Sequence, residues 1–196
     1  MCDGDVSEPA REQPYGDEAF ASILEAARAG ADWAWSRLYR DLAGPVLGYL
    51  RGRGADDPED LLGEVFLQVA RNIGTFEGGE RAFRSWVFTV AHHRVIDERR
   101  YRGRRPVVLT GDPPPAVTAG DVEQEALDRL GTDRVVDLLD RLSPDQRDVL
   151  LLRIVAGLTI EEAARIVGKR IGAVKALQRR GLEALRRRIG EKGVPL

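Results

Sequence analysis

The chain has 196 residues, is 43% hydrophobic and 32% charged, and carries a formal net charge of −2. These values fit a soluble globular protein of one or two domains and exclude collagen-like and low-complexity classes. No apolar run approaches the ~20 residues that cross a bilayer. The acidic start MCDGDVSEPAREQ lacks the basic and apolar parts of a signal peptide, and the single Cys2 can form no internal disulfide. A cytoplasmic protein without a membrane partner is therefore expected.

The charge distribution says more than its sum. Residues 1–18 carry six acids and one Arg, and residues 106–128 carry five acids and no base. Five arginines fall in the seven residues 99–105, and residues 169–188 are strongly basic. Opposite charges in separate blocks imply more than one kind of contact surface.

Residues 1–16 read as a disordered acidic tail. Asp17 can cap a helix to about Ala29, with Phe20, Ile23, Leu24 and Ala27 on one face and Gly30 as its end. A second helical stretch carries Trp33, Trp35, Leu38, Tyr39, Leu42, Val46, Leu47 and Leu50, and Gly44-Pro45 is expected to bend or divide it. Asp57-Pro58-Glu59-Asp60 is a strong helix start: a cap, a first-position proline and two acids in the positive first turn. That helix turns Leu61, Leu62, Val65, Phe66, Val69 and Ile73 inward, shows Glu59, Asp60, Glu64 and Gln68, and stops at Gly74. Its acidic face Asp57, Asp60, Glu64 is either solvated or a docking surface for a basic partner.

The stretch ERAFRSWVFTVAHHRVIDERRYRGRR, residues 80–105, follows. Nothing from Arg81 to Arg102 breaks a helix, which would run roughly 33 Å at 1.5 Å per residue. Phe83, Trp86, Val87, Phe88 and Val90 anchor one end in a core, and Arg99, Arg100, Arg102, Arg104 and Arg105 make the other a rod of positive charge. Such a rod suits a long anionic ligand with flat faces, which describes nucleic acid. His92 and His93 cannot share a metal from adjacent helical positions, and His93 with Asp97 supplies only two ligands. No metal and no cofactor is expected; His93 is read as an exposed hydrogen-bonding or stacking group.

From Pro106 the texture changes to PVVLTGDPPPAVTAGDVEQEALD, with four prolines and little periodicity. It reads as an extended linker reaching at most about 75 Å. Helical signals resume near Glu123 and after Thr132. Ser143-Pro144-Asp145-Gln146 is a capping box opening a helix that stops at Gly157, and Thr159 to Glu162 is a second box opening a short helix closed by Gly168. A longer helix from Ile171 to Ile189 turns Ile171, Val174, Leu177, Leu182, Leu185 and Ile189 inward and Lys175, Arg179, Arg180 and Arg186 to Arg188 outward. A short capped helix, a tight glycine turn and a long basic helix make a helix-turn-helix. Arg170, Lys175, Arg179 and Arg180 lie where such a helix meets the major groove. With no strand-like alternation anywhere, the fold is expected to be all-α. No phosphate-binding glycine loop and no Ser/His/Asp set with motif spacing appears, so no enzyme is expected. A free-standing helix-turn-helix regulator would need a dimer or ligand domain, and an RNA-processing enzyme would have to rely on the His93/Asp97 region.

At motif level two segments resemble one family. DPEDLLGEVFLQVARNIGTFEGGERAFRSWVFTVAHHRVIDERRYRGRR resembles domain two of bacterial RNA polymerase sigma factors of the extracytoplasmic-function type, and LDRLSPDQRDVLLLRIVAGLTIEEAARIVGKRIGAVKALQRRGLEALRR resembles their domain four. The resemblance implies two helical domains, 17–105 and 129–196, joined by the linker 106–128. It implies a non-enzymatic factor that brings core RNA polymerase to promoters and helps to melt DNA. Asp57, Asp60, Leu61, Glu64, Val65, Phe66 and Gln68 would bind the clamp of the largest subunit, and the flap of the second largest would be a further contact. Arg84, His93, Arg94, Asp97, Arg99, Arg100, Arg102, Arg104 and Arg105 would serve the minus-ten element, with His93 standing where the family often has Asn beside the pocket for a flipped base. Arg170, Gly172, Ala173, Lys175, Ala176, Arg179 and Arg180 would serve the minus-thirty-five element. An anti-sigma factor is a common partner in the family. Three departures stand out: Gly63 replaces the family's common Gln in the clamp helix, Arg170 and Ala173 replace its usual Ser and Thr, and Ala176-Leu177 replaces Ser-Arg.

Overall fold

The structure, a computed structural model, describes residues 17–104, 139 and 141–191. The expected tail 1–16, the linker 106–128 and the helical signals after Glu123 and Thr132 lie outside the described residues. Within them stand seven α-helices and no strand: α1 (Asp17–Arg28), α2 (Asp32–Gly52), α3 (Pro58–Asn72), α4 (Glu80–Arg104), α5 (Pro144–Ile154), α6 (Ile160–Val167) and α7 (Ile171–Glu191). A 3-10 turn, Ile73–Thr75, continues the end of α3.

The first four helices form a bundle. Gly30, at φ 80, turns the chain between α1 and α2, and Trp35 Nε1 donates to the Ala27 carbonyl at 3.0 Å, holding the two helices together. Of the expectation that Gly44-Pro45 bends or divides α2, the division is corrected: the helix runs through Pro45. The proline removes one backbone donor, but Leu42, Val46, Tyr49 and Leu50 around it are buried in the bundle. Burying side chains of that size is worth roughly 1.5–3 kcal/mol each and outweighs a single lost hydrogen bond. α3 starts as its sequence directs, with Asp57 Oδ1 accepting from the Asp60 N–H at 2.9 Å. α4 is one unbroken helix of 25 residues. Its apolar end is fixed by a ring cluster in which Phe83 meets Phe20 at 5.6 Å and Phe76 at 5.3 Å, while Trp86 stacks on Phe76 at 5.1 Å. Trp86 is half-buried, so its ring is a packing group.

The C-terminal helices form a second unit. Gln146 N–H donates to Ser143 Oγ at 3.3 Å while Gln146 Oε1 accepts from Ser143 N–H at 3.1 Å. Thr159 and Glu162 make the same reciprocal pair at the start of α6. Gly168 closes α6 in the left-handed region, φ 65 and ψ 32, where a side chain would be strained. Val174 is fully buried, whereas Ile171, expected inward, is 44% exposed. It occupies the first residue of α7, one turn before the helix reaches its buried seat.

The two units lie against each other. α2 packs on α5 and α4 on α6, and their buried apolar side chains form one continuous cluster. The contact is close at two glycines: a Cβ at Gly52 would stand 2.7 Å from Leu151 Cδ2, and one at Gly48 would stand 3.4 Å from Val155 Cγ1.

Candidate nucleic-acid and polymerase interfaces

α4 has two faces of different character. Phe83, Val87, Phe88, Ala91 and Val95 are buried and fix the helix in the bundle. His93, Asp97 and Arg100 are exposed, with Arg94 half-exposed beside them. These four residues border an open cleft of about 620 Å³, together with Gln68 of α3 and, on its other side, Ile166 and Val167 of α6 and its capping Gly168. Rings, amides and guanidiniums are thus gathered over a rigid floor, the chemistry that holds unstacked bases and phosphates. Arg94 Nη1 lies 3.3 Å from Glu64 Oε2, tying α4 to α3. Arg100 Nη1 lies 3.8 Å from Asp97 Oδ1.

Not every arginine of the cluster faces this cleft. Arg99 donates to the Arg53 carbonyl and so fastens α4 to the end of α2. Arg84 lines a different cavity with Phe20, Leu38 and Asp41 and is not brought together with His93. Arg102 and Arg104 fall in the last turn of α4, while their side chains and all of Arg105 lie outside the described residues.

Beneath the cleft is a buried polar knot. Tyr49 Oη and His92 Nδ1 are 2.8 Å apart. Burial first, then the guanidinium of Arg53 and the neighbouring His93, pushes the His92 imidazole down to about 4. Burial likewise raises the Tyr49 hydroxyl far above its usual range. The pair therefore sits neutral, with one hydrogen bond shared between the phenol and the imidazole. Arg53 and Asp148 are 3% and 7% exposed, and Arg53 Nη1 approaches Asp148 Oδ1 to 2.5 Å as an ion pair across the two units. Burial pushes the Asp148 carboxyl up to about 6, outweighing the attraction of Arg53 and Arg99. Sequence reasoning weighed His92 only as a metal ligand. The usable signal was its spacing: Phe88, His92 and Val95 share one apolar face of α4.

On α3, Asp57, Asp60 and Glu64 are exposed and Gln68 is half-buried, a contiguous acidic face. Leu61, Val65 and Phe66 are instead buried inside the bundle, with the Phe66 ring 4.7 Å from that of Tyr39. The surface that a partner can reach includes a residue not anticipated, Leu67, 58% exposed beside the acids.

In the helix-turn-helix, Arg170, just before α7, and Gly172, Ala173, Lys175, Arg179 and Arg180 on its first half are exposed, and Ala176 is half-buried between them. Arg179 keeps only a loose 3.9 Å pair with Glu183, and Arg180 Nε bonds the Ala176 carbonyl at 3.3 Å. Gly181 allows the close approach of α5: a Cβ there would stand 2.9 Å from Leu150 Cδ1. Glu162, at the start of α6, is buried, which alone would raise its carboxyl. Hydrogen bonds from Thr159 and Arg81 hold it below the usual range instead. Arg81 Nε reaches it from α4 at 3.0 Å. No helix among the described residues is long and apolar enough to cross a membrane.

A four-helix bundle ending in a long arginine-rich helix, followed by a helix-turn-helix, defines an all-α protein of two helical units. Residues 36–105 match sigma-70 region 2, and residues 132–185 match sigma-70 region 4. The chain belongs to the sigma-70 family of RNA polymerase sigma factors, in its extracytoplasmic-function (ECF) group. It is 36% identical over 171 residues to the ECF RNA polymerase sigma factor BldN of Streptomyces coelicolor, covering 84% of this chain and 64% of BldN. It is 33% identical over 172 residues to the RNA polymerase sigma factor CarQ of Myxococcus xanthus, covering 86% of this chain and 96% of CarQ. Among solved structures it resembles CnrH in complex with the cytosolic domain of CnrY, with a TM-score of 0.65, 22% identity, and coverage of 88% of this chain and 98% of that one.

Proposed function

We propose that this chain is a promoter-specificity subunit: it binds core RNA polymerase, directs it to promoters and helps to open the DNA. It has no chemistry of its own and acts in the cytoplasm, where polymerase and DNA are. The observation that carries this is the build of α4, where His93, Arg94, Asp97 and Arg100 stand over a buried anchor and Arg94 reaches Glu64 on the acidic face of α3. The residues for the minus-ten strand and those for the polymerase clamp are thus mechanically joined. Leu61, Val65 and Phe66 shape α3 from within, so the clamp meets Asp60, Glu64, Leu67 and Gln68. α7 takes the minus-thirty-five duplex through Arg170, Lys175, Arg179 and Arg180, and Arg99 to Arg105 hold phosphates where the duplex begins to open. A protein partner that silences the chain is also proposed, since the sigma factor RpoE of Bartonella quintana was solved in complex with the anti-sigma factor NepR.

The test is run-off transcription with core polymerase, alongside co-purification of the two. Wild type is expected to support both. Asp60→Lys with Glu64→Lys reverses the α3 face and should weaken polymerase binding at least tenfold, as expected when charges across an interface become alike. Unchanged holoenzyme formation would show that α3 is not the clamp surface.

A further inference from the structure

Besides its histidines, α4 carries the rings of Phe83, Trp86, Phe88 and Tyr101. The first three serve packing: Phe83 and Phe88 are buried, and Trp86 is half-buried and stacked on Phe76. Tyr101 is different. It is 60% exposed, too open to the solvent for its ring to hold the bundle. Its neighbours in the chain are Arg99, Arg100, Arg102 and Arg104. The other exposed aromatics among the described residues, Trp33 and Tyr39, stand on the first half of α2. Tyr101 alone is set among the arginines. Helical geometry gives its register. His93, Asp97 and Tyr101 are each four residues apart, so they follow one another along one face of α4. Tyr101 lies just past the open cleft, whose last α4 residue is Arg100. From His93 to Tyr101 the helix rises about 12 Å, and a stacked strand advances about 3.4 Å per base, so Tyr101 stands roughly three to four nucleotides beyond the base that His93 meets.

We infer that the Tyr101 ring is a stacking platform for a base at the edge of the opened DNA, and that it favours strand separation where the arginines beside it do not. The inference rests on the reading of α4 as the minus-ten helix. Arginines meet phosphates in paired and separated DNA alike. A ring on the outside of the strand meets a base face only after the pair has parted. Only the ring therefore binds the open form better than the closed one, and only such a difference shifts the equilibrium. The strengths match: stacking on an aromatic side chain is comparable to the base-pair stacking lost when a step opens. Every base has a flat face, so Tyr101 acts on opening and not on the choice of sequence.

The experiment uses the full chain in holoenzyme, as wild type, Tyr101→Phe and Tyr101→Ala. The probe is one promoter template in two forms, fully paired and pre-opened by mismatches across the minus-ten element. Run-off transcript is measured from each. On paired DNA, Tyr101→Ala should give about tenfold less transcript than wild type, and Tyr101→Phe should stay within about twofold, because the ring and not the hydroxyl stacks. On pre-opened DNA all three should be equal, since the step that the ring assists has already been made. That recovery also shows that the alanine variant is folded and binds polymerase. Full activity of Tyr101→Ala on paired DNA overturns the proposal. A phenylalanine variant as weak as the alanine one overturns stacking in favour of a hydrogen bond from the hydroxyl. An alanine defect of equal size on both templates overturns a role in opening. Wild type that yields no transcript from either template brings down the sigma-factor reading and this proposal with it, whereas each of the other results leaves that reading standing.

Discussion

His92 and Asp148 flank the same buried guanidinium, that of Arg53, and burial moves their protonation equilibria in opposite directions. His92 falls from 6.5 to about 4 and Asp148 rises from 3.8 to about 6. A base whose folded value is depressed contributes stability that is present above about 6.5 and is lost as pH falls towards 4. An acid whose folded value is raised binds its proton more tightly when folded, so its contribution falls as pH rises from about 4 to 6. In that window the folded chain holds one proton more on Asp148 and one fewer on His92 than the unfolded chain, and the two slopes cancel. Single substitutions should separate them. Relative to wild type, His92→Asn should lose stability as pH rises from 4 to 6, and Asp148→Asn should lose it as pH falls from 6.5 to 4. Urea midpoints measured at half-unit steps would show this. Two variants parallel to wild type throughout would mean that the pair does not sense protons in the fold. Tyr49, Arg99, Asp145, Arg147 and His93 also act on these groups, and all are unchanged in both variants.

At the scale of the element, α3 shows most clearly what the sequence makes legible. Asp57, Pro58, Glu59 and Asp60 act within one turn of each other, so the cap forms as read, as do the boxes at Ser143 and Thr159. Periodicity also places Leu61, Val65 and Phe66 correctly, inside the bundle. The family resemblance assigns the same residues to a partner, because a motif marks a segment and not a face of it. Pro45 misleads for the opposite reason: propensity is local, and the burial of Val46, Tyr49 and Leu50 that overrides it is tertiary. The seam between the units could not be read at all, because Gly52 and Leu151 meet across about a hundred residues. α3 also carries a correctable flaw. Gly63 lies mid-helix, exposed, with nothing within 4 Å of where its Cβ would be. Gly63→Ala should stabilise the chain by about 0.5–1 kcal/mol, the difference in helix propensity. A higher urea midpoint at constant slope would confirm it. Destabilisation would mean that the backbone at Gly63 is not helical in solution.

At the scale of the molecule the question is how two units packed against each other can serve two promoter elements. In the packed arrangement both ends of the connection are held at the foot of α2: Arg99 bonds the Arg53 carbonyl, and Leu139 borders Gly52. Little span is needed. With the roles proposed for α4 and α7, the two helices would stand roughly 70 Å apart on a promoter, which the 23 residues 106–128 reach only when nearly straight, at about 75 Å. The two arrangements therefore place different demands on linker length. Removing the eight residues 113–120 leaves fifteen, with a reach of about 50 Å. That is ample for the packed units and too short for a promoter carrying both elements. The shortened chain should keep its thermal midpoint, or gain slightly, since a shorter loop costs a few tenths of a kcal/mol less to close. It should still bind core polymerase through α3, yet give no run-off transcript from a two-element promoter. Inserting eight Gly/Ser residues in place of those removed should restore the transcript, because length and not sequence sets the reach. Full transcription by the shortened chain would show that other parts of the polypeptide span the gap. Loss that the replacement does not restore would assign the segment a specific contact.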